Sequence, residues 1–218
     1  MQKVGILEES ENELSDHDID CVAGMRMLRT FLRQDQSMIR IVVFVAAVLF
    51  LVPALGQSLP AGLDKANAIV IDTNKGRIVI RLRPDIAPKH AEQIKQLARD
   101  GYYNNVPFHR VIDGFMAQTG DGQKFDGSGR SKYPDLKQEF SKVSFKRGVV
   151  GMAHNQLSVD SANAQFFIML ADIPQLNGQY TVVGEVVSGM DVVDKIKRGE
   201  PAVDPDKMVK VQVASDIK

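Results

Sequence analysis

Residues 108 to 120 read Phe-His-Arg-Val-Ile-Asp-Gly-Phe-Met-Ala-Gln-Thr-Gly, and no other stretch constrains the fold as tightly. Two runs of β-favouring residues, 108–112 and 115–119, flank Asp113-Gly114, a dipeptide that signals a tight hairpin turn. Alternation along a strand puts Arg110 on one face with Phe108 and Ile112, and Met116 on one face with Gln118. A guanidinium among apolar strand residues is costly to bury unless a partner or ligand satisfies it; otherwise its stem packs and its head reaches water. His109 falls opposite Arg110, the place of a packed or hydrogen-bonded support.

The rest of the chain obeys the same grammar. Runs 69–71 and 78–82 bracket Thr73-Asn74-Lys75-Gly76, which predicts a second hairpin. Pro88 stands at a first helical position, and Ala91, Ile94, Leu97 and Ala98 recur at helical spacing before Gly101. A second helix is predicted over 189–198, with Met190, Val193 and Ile196 on one side and Gly199 just past its end. Short strands are expected at 148–152, 165–169, 181–185 and 209–214. Many short strands with two helices make a mainly β domain, its antiparallel sheet either closed on itself or packed as a sandwich.

The N-terminal quarter is of a different kind. Residues 1–37 carry Glu8, Glu9, Glu11, Glu13, Asp16, Asp18 and Asp20, an acidic run with too little apolar area to order itself. It is expected to be a disordered extension, unless translation starts at Met25, Met27 or Met38. Residues 41–55 then hold no charge for fifteen positions, short of the roughly 20 that span a bilayer comfortably. Arg26, Arg29, Arg33 and Arg40 precede them, which keeps the N-terminus cytoplasmic and exports the remainder of the chain. With Pro53 followed by Ala54 and Gly56, residues 38–57 read first as a signal peptide, with an uncleaved hydrophobic anchor helix as the alternative. Residues 58–65 are then a linker and 66–218 the folded domain, periplasmic or secreted after cleavage, or held at the inner membrane outside the cytoplasm.

Charge and side-chain inventory exclude several functions. Lys plus Arg equals Asp plus Glu at 27 each, so no excess favours nucleic acid or an anionic membrane surface as partner. The single cysteine, Cys21, precedes the apolar run, so the domain has neither disulfide nor thiol nucleophile. His17, His90, His109 and His154 lack metal-ligand spacing, so no metal site is expected. There is no Gly-x-Ser-x-Gly elbow. Gly120-Asp121-Gly122 and Gly127-Ser128-Gly129 sit in no βαβ unit and read as flexible loops rather than a phosphate cradle.

Two further blocks complete a pattern with 108–120: Met152-Ala153 leading through Ser161-Ala162-Asn163-Ala164-Gln165-Phe166-Phe167-Ile168, and Leu176-Asn177-Gly178-Gln179-Tyr180-Thr181-Val182-Val183-Gly184. In order and spacing the three blocks resemble the cyclophilin family of peptidyl-prolyl cis-trans isomerases, over about residues 66 to 217. The resemblance implies a closed eight-stranded antiparallel β-barrel capped by two α-helices. It also implies a monomer without cofactor, acting on proline-containing polypeptides. Arg110 is then the catalytic arginine. Phe115, Met116, Phe167 and Leu176 make the proline pocket, and Gln118 hydrogen-bonds the substrate backbone. Ala153, Ala162, Asn163 and Gln165 line the groove beside it. Tyr180 stands where many members have histidine and supplies a ring edge and one hydrogen bond in its place. Asn163-Ala164 replaces a Gly-Ser pair. Gln175 replaces a tryptophan important for cyclosporin, and the chain has no Trp, so weak cyclosporin binding is expected. Taken singly, Phe115, Met116 and Phe167 would be ordinary core. The alternative to an enzyme is a non-catalytic chaperone or scaffold barrel that captures proline-containing segments.

Overall fold

A computed structural model describes residues 59–218. The extension, start sites and signal or anchor segment expected before them lie outside the described residues. Strands β1 (Ala68–Thr73) and β2 (Gly76–Leu82) form the first hairpin, followed by helix α1 (Pro88–Arg99). Then come β3 (Val106–Pro107), β4 (Arg110–Ile112), β5 (Met116–Thr119), β6 (Val149–Met152), β7 (Phe166–Met169) and β8 (Val182–Ser188). A short helix α2 (Met190–Asp194) and β9 (Lys207–Val213) complete the chain.

The strands form one antiparallel sheet in the order β3-β9-β1-β2-β8-β6-β7-β5-β4. Its two edges, β3 and β4, are separated in the chain by Phe108 and His109 alone. The sheet therefore curls until its edges meet in one bent run, and with β3 and β4 counted as halves of one strand this is the expected eight-stranded barrel. The bend corrects one expectation. Phe108 does not share a face with Arg110, because the strand breaks between them: Phe108 N–H donates to the Asp206 carbonyl at 2.9 Å, and its ring turns fully into the barrel.

Alternation sorts the remaining side chains into two apolar layers. Ile69, Ile71, Ile78, Val111, Ala117, Val150 and Ile168 point inward with Phe108 into the main core. Met116, Phe167, Met169, Val149 and Val182 point outward and gather with Phe145 into a second cluster on the outer face. That outer layer covers a face that antiparallel sheets commonly leave to water, and it carries the cleft described below. A third small cluster sets Leu59 and Leu63, from the segment read as linker, against Ala68, Val70 and Ala214.

Helix α1 buries His90, Ala91, Ile94, Leu97 and Ala98, the apolar stripe expected from its spacing. Ala87 at its N-cap offers no side-chain acceptor; instead the Glu139 carboxylate accepts from the N–H groups of Lys89 and His90 at 3.3 and 3.2 Å. Helix α2 stops four residues short of the predicted end. Lys197 N–H, which a continued helix would turn back to Val193, goes to Asp206 Oδ2 at 2.8 Å. Among the described residues no helix is long and apolar enough to cross a membrane.

Candidate active site

The hairpin turn at Asp113-Gly114 has Gly114 at φ 65°, a left-handed value that costs glycine nothing. It sets the register in which Arg110 faces Gln118 and Ile112 faces Met116. The next pairings place Phe167 beside Gln118 and Gly151 beside Phe167, so Arg110, Gln118, Phe167 and Gly151 form one row across the outer face. Polar and apolar requirements are thus laid side by side by backbone register alone.

Gly151 is where the row needs a missing side chain. A Cβ there would lie 2.5 Å from Phe167 Cζ and 2.7 Å from Phe145 Cε1. Its absence lets the Phe145 and Phe167 rings stack at 5.9 Å and 25°. Tyr180 and Phe167 meet edge to face at 5.4 Å and 89°, and His154 stacks on Tyr180 at 4.5 Å. The result is an open cleft of about 530 Å³, within the range of small-ligand sites. Met116 and Phe167 make its floor, Phe115, Leu176, Tyr180 and Ala153 its walls, and Arg110 with Gln118 its polar lip. Leu176 is brought in by a single-turn helix at Pro174–Leu176, tied down where Ile173 N–H meets the Phe145 carbonyl at 2.8 Å.

A relay of hydrogen bonds holds Gln118. Its Nε2 donates to Gln165 Oε1 at 3.1 Å, and Gln165 Nε2 donates to the carbonyls of Gly127 and Gly129 at 2.8 and 3.1 Å. Those glycines belong to a loop expected to be flexible. It is instead gathered round Asp121, whose carboxylate accepts from the N–H groups of Gln123, Lys124, Gly127 and Gly129. Burial by itself would raise the Asp121 pKa; the four backbone donors outweigh it and hold the group below the ordinary carboxylate range. Gln118 makes no other side-chain hydrogen bond among the described residues, so its carbonyl oxygen is open to a peptide N–H.

A smaller cleft of about 260 Å³ continues beyond Gln118, Ala153 and His154, and Asn163 and Gln165 line it. Asn163 is committed to structure. Its Oδ1 accepts from Ser131 N–H and Oγ at 2.7 Å, and its Nδ2 donates to Tyr133 O and Asp135 Oδ1. Ala162, read as groove lining, lines neither cleft: its side chain is 2% exposed and packs in the main core, while its carbonyl accepts from Leu136 N–H at 2.8 Å. The Tyr180 hydroxyl makes no hydrogen bond among the described residues.

Three lining residues, His154, Gln156 and Glu200, were not anticipated from the sequence. His154 directly follows Ala153, and its place in the second block was the available signal. Its Nδ1 and Nε2 lie 2.8 and 3.1 Å from the carbonyl oxygens of Asn155 and Gln179. Glu200 accepts from Arg110 Nε across 90 residues of sequence, a pairing no local pattern announces. His109 is packed rather than hydrogen-bonded, both ring nitrogens being buried without partners, and burial pushes its pKa down against the pull of Asp121 and Asp126. Among the described residues no three His, Cys, Asp or Glu side chains are grouped to hold a metal ion.

Comparison with known proteins agrees with this geometry. A family model described as cyclophilin type peptidyl-prolyl cis-trans isomerase/CLD matches residues 68–215. A probable peptidyl-prolyl cis-trans isomerase of Brucella suis is 51% identical over 190 residues, covering 80% of this chain and 96% of its own. One from Helicobacter pylori is 39% identical over 140 residues, covering 63% and 85%. Among solved structures, the cyclophilin AquaCyp293 of Hirschia baltica superposes with a TM-score of 0.66 at 28% identity, covering 72% of this chain and 77% of its own. A Cryptosporidium parvum cyclophilin crystallised in the presence of the dipeptide Ala-Pro gives 0.62 at 26% identity, covering 67% and 98%. With its curled antiparallel sheet, two helices and outer-face cleft, the chain belongs to the cyclophilin-type peptidyl-prolyl cis-trans isomerases.

Proposed function

We propose that this isomerase accelerates rotation about Xaa-Pro bonds in extended or folding polypeptides, with Arg110 stabilising the twisted amide. Uncatalysed rotation crosses a barrier of roughly 18 to 20 kcal/mol and takes tens to hundreds of seconds. No covalent bond changes, so a catalyst needs only to favour the twisted amide over both planar forms. Twisting breaks resonance and returns a lone pair to the prolyl nitrogen, which then accepts a hydrogen bond from a fixed donor. The observation that carries this reading is the row that sets Arg110 and Gln118 at the lip of an aromatic cleft floored by Met116 and Phe167. The prolyl ring takes the floor, the substrate backbone takes Gln118, and Arg110 is left beside the rotating amide.

The C. parvum relative crystallised in the presence of Ala-Pro supports proline-containing substrates. A protease-coupled assay on a short Xaa-Pro peptide tests the mechanism. Arg110→Ala is expected to lower kcat/KM by about a hundredfold, in line with loss of a preorganised transition-state donor. Equal rates would leave only proline-peptide capture, the role of a chaperone or scaffold. Gln175 is exposed on the turn before Leu176, and with no indole there cyclosporin is expected to bind weakly; a nanomolar Kd by titration would overturn that. We further propose that the domain is exported, on the strength of the uncharged run at 41–55 behind four arginines. Fractionation with N-terminal sequencing decides between a cleaved signal, an anchor and a cytoplasmic protein.

A further inference from the structure

Glu200 meets Arg110 by backbone design. Val111 N–H donates to the Gly199 carbonyl at 2.8 Å, Gly199 N–H returns to Val111 at 2.9 Å, and Ala202 N–H reaches the His109 carbonyl at 3.0 Å. Residues 199–202 are thereby stitched along β4, with Glu200 held opposite Arg110. The stitch requires glycine at 199, where a Cβ would fall 2.4 Å from Ala202 Cα. Within it, the Arg110 Nε–H donates to Glu200 Oε1 and the two side chains form an ion pair.

A guanidinium is a rigid planar fork of donors, so fixing one nitrogen fixes the directions of the other two. With Nε committed to Glu200, both terminal nitrogens of Arg110 are without partners among the described residues, and both side chains line the proline cleft. Gln118, the cross-strand neighbour of Arg110, makes no hydrogen bond to it among the described residues; its amide nitrogen goes to Gln165. The pair is also poorly placed to serve folding. Its side chains are 36% and 55% exposed, and ion pairs so open to water contribute little to stability.

We propose that Glu200 is the positioning residue of Arg110, holding its terminal N–H groups toward the rotating amide. The proposal rests on the reading of Arg110 as the donor to the prolyl nitrogen. Without Glu200 the long arginine side chain regains its rotamers and must be ordered again in each transition state.

The test measures kcat and KM separately on one Xaa-Pro peptide, with the full chain, for wild type, Glu200→Ala, Glu200→Gln, Arg110→Ala and the Arg110→Ala/Glu200→Ala double variant. Glu200→Ala is expected to lower kcat about tenfold, with KM and Tm little changed. Glu200→Gln, whose amide oxygen still accepts from Nε, is expected to recover most of the loss. In the Arg110→Ala background, removing Glu200 should cost nothing more. A wild-type kcat in Glu200→Ala, or an equal further loss in the double variant, overturns the positioning role while a slow Arg110→Ala keeps the donor reading intact. A wild-type kcat in Arg110→Ala sinks both.

Discussion

Gln165 stands between Gln118 and the 127–129 loop, accepting from Gln118 Nε2 at 3.1 Å and donating to the Gly127 carbonyl at 2.8 Å. The orientation of the substrate-facing amide is therefore set by backbone on the far side of Gln165. Gln165→Leu, of similar size but without polar atoms, should leave two loop carbonyls unpaired and Gln118 free to turn. We expect kcat/KM to fall about tenfold, chiefly through KM, since one neutral hydrogen bond is worth about 1 kcal/mol and an unmet buried group adds to that. An unaltered KM would show that Gln118 orients itself.

Gly151→Ala places a methyl where the Phe145 and Phe167 rings stack, closer to both than atoms approach. Overpacking of this kind typically costs about 1 to 3 kcal/mol. Because the ring that yields is the pocket floor, the loss in denaturant stability should be accompanied by a raised KM. A destabilised variant with wild-type KM would mean that Phe145, and not Phe167, gives way.

Tyr180 is expected to contribute its ring rather than its hydroxyl. Its ring meets Phe167 edge to face, and His154 stacks on it. Tyr180→Phe should keep kcat/KM within about twofold, whereas Tyr180→Ala, which opens the wall and strips an edge-to-face contact worth about 0.5 to 1.5 kcal/mol beyond its area, should lose roughly tenfold. Equal losses in the two variants would assign the work to the hydroxyl.

His90 is fully buried with Nδ1 2.7 Å from Glu139 Oε2. Burial pushes its pKa below the ordinary value, outweighing the pull of the carboxylate. Between that depressed value and the unfolded value of about 6.5, the unfolded chain binds more protons than the folded one, so stability falls as pH drops below about 6.5. Burial raises Glu139, but His90 and two backbone N–H groups hold it below its ordinary value, so its stabilising share is lost later, as pH falls through the carboxylate range. Tm measured from pH 8 down to pH 5 should decline in the wild type and decline less in His90→Gln, with His109 supplying part of the remaining slope. Superimposable curves would sink this assignment.

The turn at Asp113-Gly114, the turn at Thr73–Gly76 and the helix opening at Pro88 were all determined by the sequence itself. Each depends on dihedral preference or periodicity over a few residues. The three ordered blocks likewise carried the pocket residues Phe115, Met116, Phe167 and Leu176 with Arg110 and Gln118. Only the tertiary structure decided that Phe108 turns away from Arg110, that α2 yields to Asp206 at Lys197, and that Ala162 belongs to the core. It alone brought His154 behind Tyr180 and Glu200 to Arg110. The placements of Phe108 and Glu200 arise where the sheet closes on itself and the others where loops meet, and each joins groups separated in the chain whose pairing no local pattern encodes.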